Sequence, residues 1–417
     1  MVNKRVDAIV LGAGMVGVAA ALHLQARGRS VALVDRHAQA GEETSFGNAG
    51  LIERSSIFPY MFPREPGALL RYALNRSPEA HYHLTALPGL ASWLLRYWLN
   101  SSPDGALRSA TAALPLIERS LSEHEALMQA AGVMHLLKKT GWMKLCRSQA
   151  SFEKAVREAE RLIPYGRAFD VLDRKQVGAR EPFLKGDLAG AVHLRDPGVV
   201  TDPGGLAKAY AALFVQRGGE MIVGDAGGLT QETDGWSVPA GGGRVHARDV
   251  VAALGPWSDI VFRPLGYRIP LAVKRGYHMH YAAEPPAVLN VPVLDVEGGY
   301  VLAPMLRGIR LTTGAEFARR DAPPTPVQLA RTEPLAREIF PLGARLDAKP
   351  WMGSRPCLPD MLPIIGPAPR HRGLWFDFGH QHHGFTLGPV SGRLIADLVT
   401  GVEPFTDPAP YSVTRFE

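Results

Sequence analysis

The chain has 417 residues, 46% of them apolar and 21% charged, which suits a globular protein of about two domains. Its 44 glycines and 34 prolines stay below the ~25–30% share of disordered chains, so a large buried core is expected. The net charge of +6 comes from scattered basic residues without a Lys/Arg block, which argues against a nucleic-acid partner and leaves room for small anionic ligands.

At the N-terminus, Lys4 and Arg5 ahead of an apolar stretch at 8–22 imitate a secretory signal. Asp7 interrupts the junction, and the stretch is shorter than the ~20 residues of a bilayer span. An unprocessed, cytoplasmic protein without a transmembrane helix is therefore expected. Only Cys146 and Cys357 are present, far apart, which excludes a disulfide framework and a CxxC redox pair.

Residues 6–11 form the short apolar run of a buried parallel strand. The turn Gly12-Ala13-Gly14-Met15-Val16-Gly17 follows, then a helix to Arg27 that Gly28 stops, then a strand at 31–34 ending on Asp35. Residues 60–160 read as mainly helical, including an aromatic amphipathic piece at 90–99. A Pro/Gly-rich stretch at 196–205 leads into a helix at 206–217, a strand at 220–223, hairpin-like strands and an apolar strand at 250–254. Residues 270–316 alternate as antiparallel strands, and a Pro-rich break at 322–326 precedes a helix from Val327. A strand at 374–378 and a helix from Phe385 to Val399 close the chain, with Leu387, Val390, Leu394 and Leu398 at helical spacing. The order predicts an α/β fold: a Rossmann-like dinucleotide domain in discontinuous segments, with an inserted domain of mixed sheet and helices.

The glycines divide the work of a dinucleotide turn. Gly12 permits the tight strand-to-helix turn, Gly14 lets a pyrophosphate reach the backbone, and Gly17 lets helix and strand pack closely. The backbone of Ala13, Met15 and Val16 completes the positive helix end that phosphates favour. Asp35, 23 residues after Gly12 and followed by Arg36, stands where a carboxylate accepts ribose hydroxyls. That unit alone serves NAD as well as FAD. The small, polar stretch Thr44-Ser45-Phe46-Gly47-Asn48-Ala49-Gly50 suits wrapping the second part of a longer cofactor.

With these residues the chain resembles the FAD-dependent D-amino acid oxidase superfamily, and within it bacterial D-amino acid dehydrogenases, whose T-S-x-x-N-A-G segment lies beside the flavin. The resemblance covers nearly the whole chain, including 196–206, Ala253-Leu254-Gly255-Pro256-Trp257 and the C-terminal motifs. It implies noncovalent FAD, since Cys357 does not sit where covalent-flavin sarcosine oxidases place their cysteine. It implies a cofactor domain from 1–54, 196–269 and 346–417, and a substrate domain from 55–195 and 270–345. Gly227 is a further candidate for the cofactor site.

Gly353-Ser354-Arg355-Pro356 with Asp360, Pro363 and Gly366 is similar to the family's G-x-R-P…D-x-x-P-x-I-G signature. A guanidinium held by a neighbouring proline can make two parallel hydrogen bonds to a carboxylate. The resemblance assigns Arg355 to the substrate α-carboxylate and Tyr300 to a hydroxyl bond with the same group. Lys274-Arg275-Gly276 resembles a basic strand near the flavin that serves the site's architecture. Gly379-His380-Gln381-His382-His383-Gly384 resembles the turn against the flavin's pyrimidine end, with Phe385 and Thr386 opening a helix aimed at it. His380 and His383 join Arg355 and Tyr300 as candidate catalytic residues. Three histidines in five residues also invite a metal, but a second ligand cluster is missing and no metal is expected.

The implied activity is oxidation of an amino acid, of the D series by resemblance, with D-proline and D-hydroxyproline among the candidates. Hydride would pass from Cα to flavin N5, the imino acid would hydrolyse, and electrons would go to a quinone or another respiratory acceptor. The alternatives are a glycine/sarcosine- or opine-type secondary-amine oxidase, a non-catalytic FAD-binding subunit, a flavin-dependent RNA-modifying enzyme and an NAD dehydrogenase. A quinone acceptor would give the 90–99 segment a reason to rest on the inner membrane. Packing inside the substrate domain is the weightier reading of that segment.

Overall fold

The computed structural model describes residues 3–417. Strand Asn3–Leu11 is buried on both faces over Ala8–Leu11, where parallel neighbours flank it, Val31–Asp35 on one side and Gly243–Ala252 on the other. Glu220–Val223 pairs parallel with Val31–Asp35, and Leu374–Phe378 pairs parallel with the second half of Gly243–Ala252. An antiparallel hairpin of Thr230–Glu232 and Gly235–Ala240 occupies the first half of that strand. With Ile364–Pro367 this makes an eight-stranded sheet. The carboxyl ends of its parallel strands, Leu11, Asp35, Val223, Ala252 and Phe378, gather along one edge, where open α/β sheets bind ligands.

One face of this sheet carries helix Met15–Ala26, whose residues are buried nearly all round because a second layer covers it. That layer is the helix Gly384–Thr400, packed backbone to backbone. A Cβ at Gly392 would stand 2.6 Å from the Ala20 nitrogen, and one at Gly388 would stand 2.7 Å from Met15 Cγ. The expected stripe holds: Leu387, Val390 and Leu394 are buried, Leu398 half-buried, and Gly401 in the left-handed region ends the helix. The long helix Pro103–Ala130 lies against this pair through His124, whose Nε2 is 2.8 Å from the Phe385 carbonyl and whose Nδ1 is 3.1 Å from the Tyr210 hydroxyl. Though placed by sequence within the 55–195 insertion, this helix is anchored to the first sheet's layers.

The second sheet has eleven strands and centres on Ala272–Ala283, its longest. Gly308–Thr313 and Ala315–Phe317 pair antiparallel on one side, Trp351–Cys357 and Leu342–Arg345 on the other. Tyr300–Met305, Val293–Asp295, Trp142–Cys146, Gly190–Leu194 and Phe169–Asp173 continue it outward. Residues 60–160 therefore contain helices Pro66–Ala73, Leu87–Asn100, Pro103–Ala130 and Gln149–Glu160, but also two strands of this sheet, Ala80–Tyr82 and Trp142–Cys146. The strand carrying Arg355, expected among the cofactor segments, is likewise hydrogen-bonded into the second sheet.

Alternation along Ala272–Ala283 gives the sheet two unlike faces. Arg275, Tyr277, Met279 and Tyr281 face a buried layer with helix Val327–Ile339, and Lys274, Gly276 and His278 face the first domain. The buried Arg275–Glu316 pair (2.6 Å) is surrounded by further bonds. Tyr277 donates to Glu316 at 2.8 Å, and Arg275 donates to the Ala322 carbonyl at 2.5 Å and the Pro323 carbonyl at 3.1 Å. Burying two charges costs several kcal/mol, and such added bonds offset it.

Candidate active site

A cavity of about 1150 Å³ runs between the sheets, from the carboxyl edge of the first to the Lys274 face of the second. At one end lie Gly12 to Val16, Asp35, Arg36, Ala253, Gly255 and Trp257. Gly12 has φ +102°, and a Cβ there would meet the Ala253 carbonyl oxygen at 2.6 Å. A Cβ at Gly17 would fall 1.8 Å from the Gly12 carbonyl oxygen, so this glycine serves packing and does not border the cavity. Gly14 is different: only Ser45 Oγ, at 3.4 Å, stands near its missing Cβ, leaving the approach to the backbone open.

Asp35 does more than await a ribose. Its Oδ2 accepts the Ala13 N–H at 2.7 Å and its Oδ1 accepts the His37 N–H at 2.8 Å, so it also fixes the turn. Each oxygen keeps a second lone pair for a ligand hydroxyl. Arg36 stacks over the Trp257 ring at 4.1 Å and pairs with Glu43. At the neighbouring strand end, Gly224, Asp225 and Ala226 border the cavity. Gly227 does not; its N–H is turned to Asp225 Oδ1 at 2.9 Å.

The 44–50 stretch bridges the two sheets. Ser45 Oγ accepts the Met15 N–H at 3.0 Å at the helix start, and Thr44 donates to the Ser354 carbonyl at 2.7 Å. Asn48 Oδ1 accepts the Gly50 N–H at 2.8 Å, while Arg310 holds the Phe46 and Asn48 carbonyls from below. Gly47 makes room for Trp351, whose ring would be 1.9 Å from a Cβ there. Gly50 (φ +76°) packs on the Val200 carbonyl, away from the cavity, which Thr44, Ser45, Asn48 and Ala49 border.

At the other end stands Arg355. Its guanidinium crosses the neighbouring strand over Gly276, where a Cβ would come within 2.7 Å of Nη2. Nη1 donates to the Gly314 carbonyl at 3.1 Å, and among the described residues no carboxylate pairs with it. Burial pushes its pKa down, so the site favours an incoming anion. A structural salt bridge, the ordinary role of such an arginine, is therefore not what this one makes. Tyr60, which nothing in its Pro- and Phe-rich loop singles out by sequence, also borders the cavity, with its residue 55% exposed at the rim.

The histidine turn splits three ways, which argues against a shared ion. His380 borders the cavity with Nε2 3.4 Å from Asp377 Oδ1. Burial pushes the imidazole down to about 3 and the Asp377 carboxyl well up, which favours the neutral form of each. Among the described residues the His380 Nε2 has no hydrogen-bond partner and only the Ser391 hydroxyl approaches the Asp377 carboxyl, although both side chains lie on the cavity wall. His383 turns away to Ser56 Oγ at 3.1 Å and Thr386 donates to the Leu51 carbonyl at 3.1 Å; neither borders the cavity. Gly379, at φ +86°, makes the turn itself and is also set back, whereas Gly384 and Phe385 border the cavity. His382 reaches the cavity beside the Tyr60 ring, 5.0 Å between centroids.

Strand register separates Tyr300 from Arg355. Arg355 pairs with Lys274, and His278, on the same face, pairs with Thr312 and through it with Val301. Tyr300 pairs with Thr313, one residue on, so its side chain turns to the opposite face, toward Asp295 and Arg147, although the residue also borders the cavity. The shared carboxylate bond expected of Tyr300 is thus not formed by this register. Two histidine–carboxylate groups elsewhere have ligand-like spacing, His278–His280–Asp347 and His81–His83–Glu316. In the first, Arg310 donates to His280 Nε2 at 3.0 Å; in the second, Glu316 is committed to Arg275 and Tyr277.

The residues present fit FAD. One cavity joins a dinucleotide turn with an open Gly14 to a distant wall of unpartnered polar atoms, which is the length and polarity that an extended dinucleotide requires. Comparison with known proteins agrees. The chain is 30% identical over 414 residues to a D-amino acid dehydrogenase of Paramagnetospirillum magneticum, covering 94% of each. It is 29% identical over 420 residues to a D-amino-acid oxidase of Bradyrhizobium diazoefficiens, covering 98% of each. The crystal structure of glycine oxidase from Geobacillus kaustophilus superposes with a TM-score of 0.77 at 24% identity, covering 99% of each chain, which shows a shared fold. Residues 7–398 match the model of the DAO family, FAD dependent oxidoreductase, and the chain belongs to that family.

Proposed function

We propose that the chain oxidises a D-amino acid to its imino acid, which water converts to a 2-oxo acid and ammonia; a cyclic D-imino acid such as D-proline would stop at the imine. The observation that carries this reading is the unpaired Arg355 guanidinium in a cavity continuous with the dinucleotide turn. Bound FAD supplies the two-electron acceptor. Gly12 to Val16, Asp35 and the 44–50 stretch would hold it noncovalently, with His380 and Gly384 at the ring end. Arg355 binds the α-carboxylate, and Tyr60 takes the hydroxyl role first assigned to Tyr300. His380, neutral and buried, presents polar surface to the cofactor without competing for the substrate's charge. With the amine bound neutral, no dedicated base is required, and alignment provides most of the rate.

For the electron acceptor, the reading is a quinone. Helix Leu87–Asn100 turns Trp93 and Tyr97 inward and leaves Leu95, Trp98 and Leu99 exposed, with Arg96 exposed on the same helix. Such a face suits peripheral contact with an anionic bilayer, and no helix among the described residues is long and apolar enough to cross one. The test is anaerobic bleaching of the purified flavoprotein by D-, L- and N-alkyl amino acids, followed by reoxidation with a soluble quinone or with oxygen. Bleaching by D-amino acids and quinone reoxidation are expected. Bleaching by L-amino acids alone, or by none, defeats the proposal.

A further inference from the structure

Beside Arg355 the cavity holds a second cation that the reaction so far leaves unused. Lys274 is directly opposite Arg355 on the adjoining strand, on the same face, and borders the same cavity. Opposed residues on paired strands hold their Cβ atoms about 5 Å apart. The residue is only 9% exposed, yet among the described residues no carboxylate and no hydrogen-bond acceptor meets its Nζ; the titratable groups near it are the Cys357 thiol and Arg355. Its surroundings are aromatic: Nζ lies 4.1 Å from the Tyr97 ring centroid, 5.2 Å from Trp93 and 5.5 Å from Phe317. That box is itself built with care. Trp93 donates its indole N–H to the Cys357 carbonyl at 3.1 Å, and Tyr97 donates to the Tyr60 carbonyl.

Ring faces support an ammonium but do not neutralise it. Burying a lysine without a counter-charge is costly, and a protein with no use for the charge would place a leucine or methionine in such a box. His382 adds to the imbalance: it borders the cavity with Nε2 buried and unpartnered, near enough to Arg355 and Lys274 for both charges to oppose its protonation, beyond the larger effect of burial. Arg355, Lys274 and His382 thus form a cluster of donors in one wall, and one α-carboxylate satisfies only the first.

We infer that Lys274, helped by His382, is a second anion subsite, and that the preferred substrate is an amino acid with a second carboxylate on its side chain. In the bound complex, the α-carboxylate sits on Arg355 and the distal carboxylate reaches the Lys274 ammonium. The aromatic box keeps water off that ion pair, which strengthens it. The inference rests on Arg355 as the α-carboxylate anchor and goes beyond it in naming the side chain.

The experiment has a catalytic and a binding arm on the holoenzyme. The first compares kcat/KM for D-glutamate and D-aspartate with that for D-norvaline, a neutral amino acid, in the wild type, Lys274→Met and Lys274→Arg. The wild type should prefer the acidic substrates. Lys274→Met should lower the acidic-to-neutral ratio roughly 10- to 100-fold, the loss of one charge-assisted bond, and Lys274→Arg should restore part of it. The second arm measures glutarate and butyrate binding by calorimetry, with no turnover involved. Glutarate should bind more tightly than butyrate, and Lys274→Met should erase the difference. A wild type that favours D-norvaline, or a Lys274→Met variant that lowers both classes equally, overturns the inference. If no amino acid bleaches the flavin yet glutarate binding depends on Lys274, the proposed reaction fails and the subsite stands.

Discussion

The two ends of the cavity are built by different means. At the nucleotide end, one continuous segment from Asn3 to Asp35 supplies turn, helix start and acceptor, and close backbone packing excludes side chains at Gly12 and Gly17. At the substrate end, no two of Arg355, Lys274, Tyr60 and His382 share a strand or turn, and their meeting depends on strand register and loop path. The first kind of site shows itself in local sequence. The second is a product of tertiary structure, where a shift of one residue moves a side chain to the other face.

The largest expected effect lies at the nucleotide end. Gly17→Val would drive a side chain into the Gly12 carbonyl oxygen, which the structure puts 1.8 Å from even a Cβ. The variant should lose FAD outright, read as the flavin-to-protein absorbance ratio, whereas Gly14→Ala, with only Ser45 Oγ at 3.4 Å, should retain part of it. Equal flavin content in the two would break the distinction between packing and ligand-facing glycines. Next comes Arg355→Met. With flavin still bound, kcat/KM for carboxylate substrates should fall about 100- to 1000-fold, carried mainly by KM. Unchanged kinetics would remove Arg355 from the site.

Legibility followed the same division. The Gly12–Gly17 turn, Asp35, Ser45 and the last helix were readable because period, glycine spacing and strand ends are local properties. So was Arg355, through its motif. The face of Tyr300 was not readable, because its register is set by pairing with Gly308–Thr313, which the sequence does not print. Gly227 was placed one turn too far, since the Asp225 side chain folds that loop back on itself. The Arg355 strand was assigned to the cofactor half by its position in the chain, although its hydrogen bonds run to Ala272–Ala283. Tyr60 carried no signal, and Lys274 was legible only as part of a basic strand near the flavin: a loop tyrosine and a strand lysine are ordinary until a cavity surrounds them.

Acid should loosen both sheets through buried histidines, since burial also holds His278 of the second sheet down to about 2. On the nucleotide side, burial holds His23 down to about 3 and His124 down to about 4, both below the unfolded value of 6.5. For a group whose folded pKa is depressed, stability is fully present above pH 6.5 and is lost as pH falls toward 4 and below. Each contributes a slope of about 1.4 kcal/mol per pH unit across that window. In the second sheet, burial pushes Glu316 upward, but hydrogen bonds from Thr325, Arg275 and Tyr277 outweigh it and hold the carboxyl below its usual range. Its contribution is therefore kept until pH falls below about 4.5, the ordinary glutamate range. Flavin release, followed by fluorescence, should begin between pH 6 and 4 (roughly the histidine window). His124→Gln should shift that release to lower pH.

The smallest effect is the one that tests the register itself. Tyr300→Phe removes a hydroxyl that register turns to the face opposite Arg355, toward Asp295 and Arg147. Both kcat and KM should stay within about twofold of wild type, because no substrate contact is lost. Tyr60→Phe, on the cavity side, should cost about tenfold in kcat/KM, the usual worth of a hydroxyl bond to a charged group. A reversal of the two, with Tyr300→Phe the more damaging, would mean that the Tyr300–Met305 strand slips by one residue when substrate binds. The far face of the sheet makes that slip expensive: Leu302, which follows Tyr300 on the same face, is fully buried with Leu311 and Leu145, and a one-residue shift would exchange it for Val301.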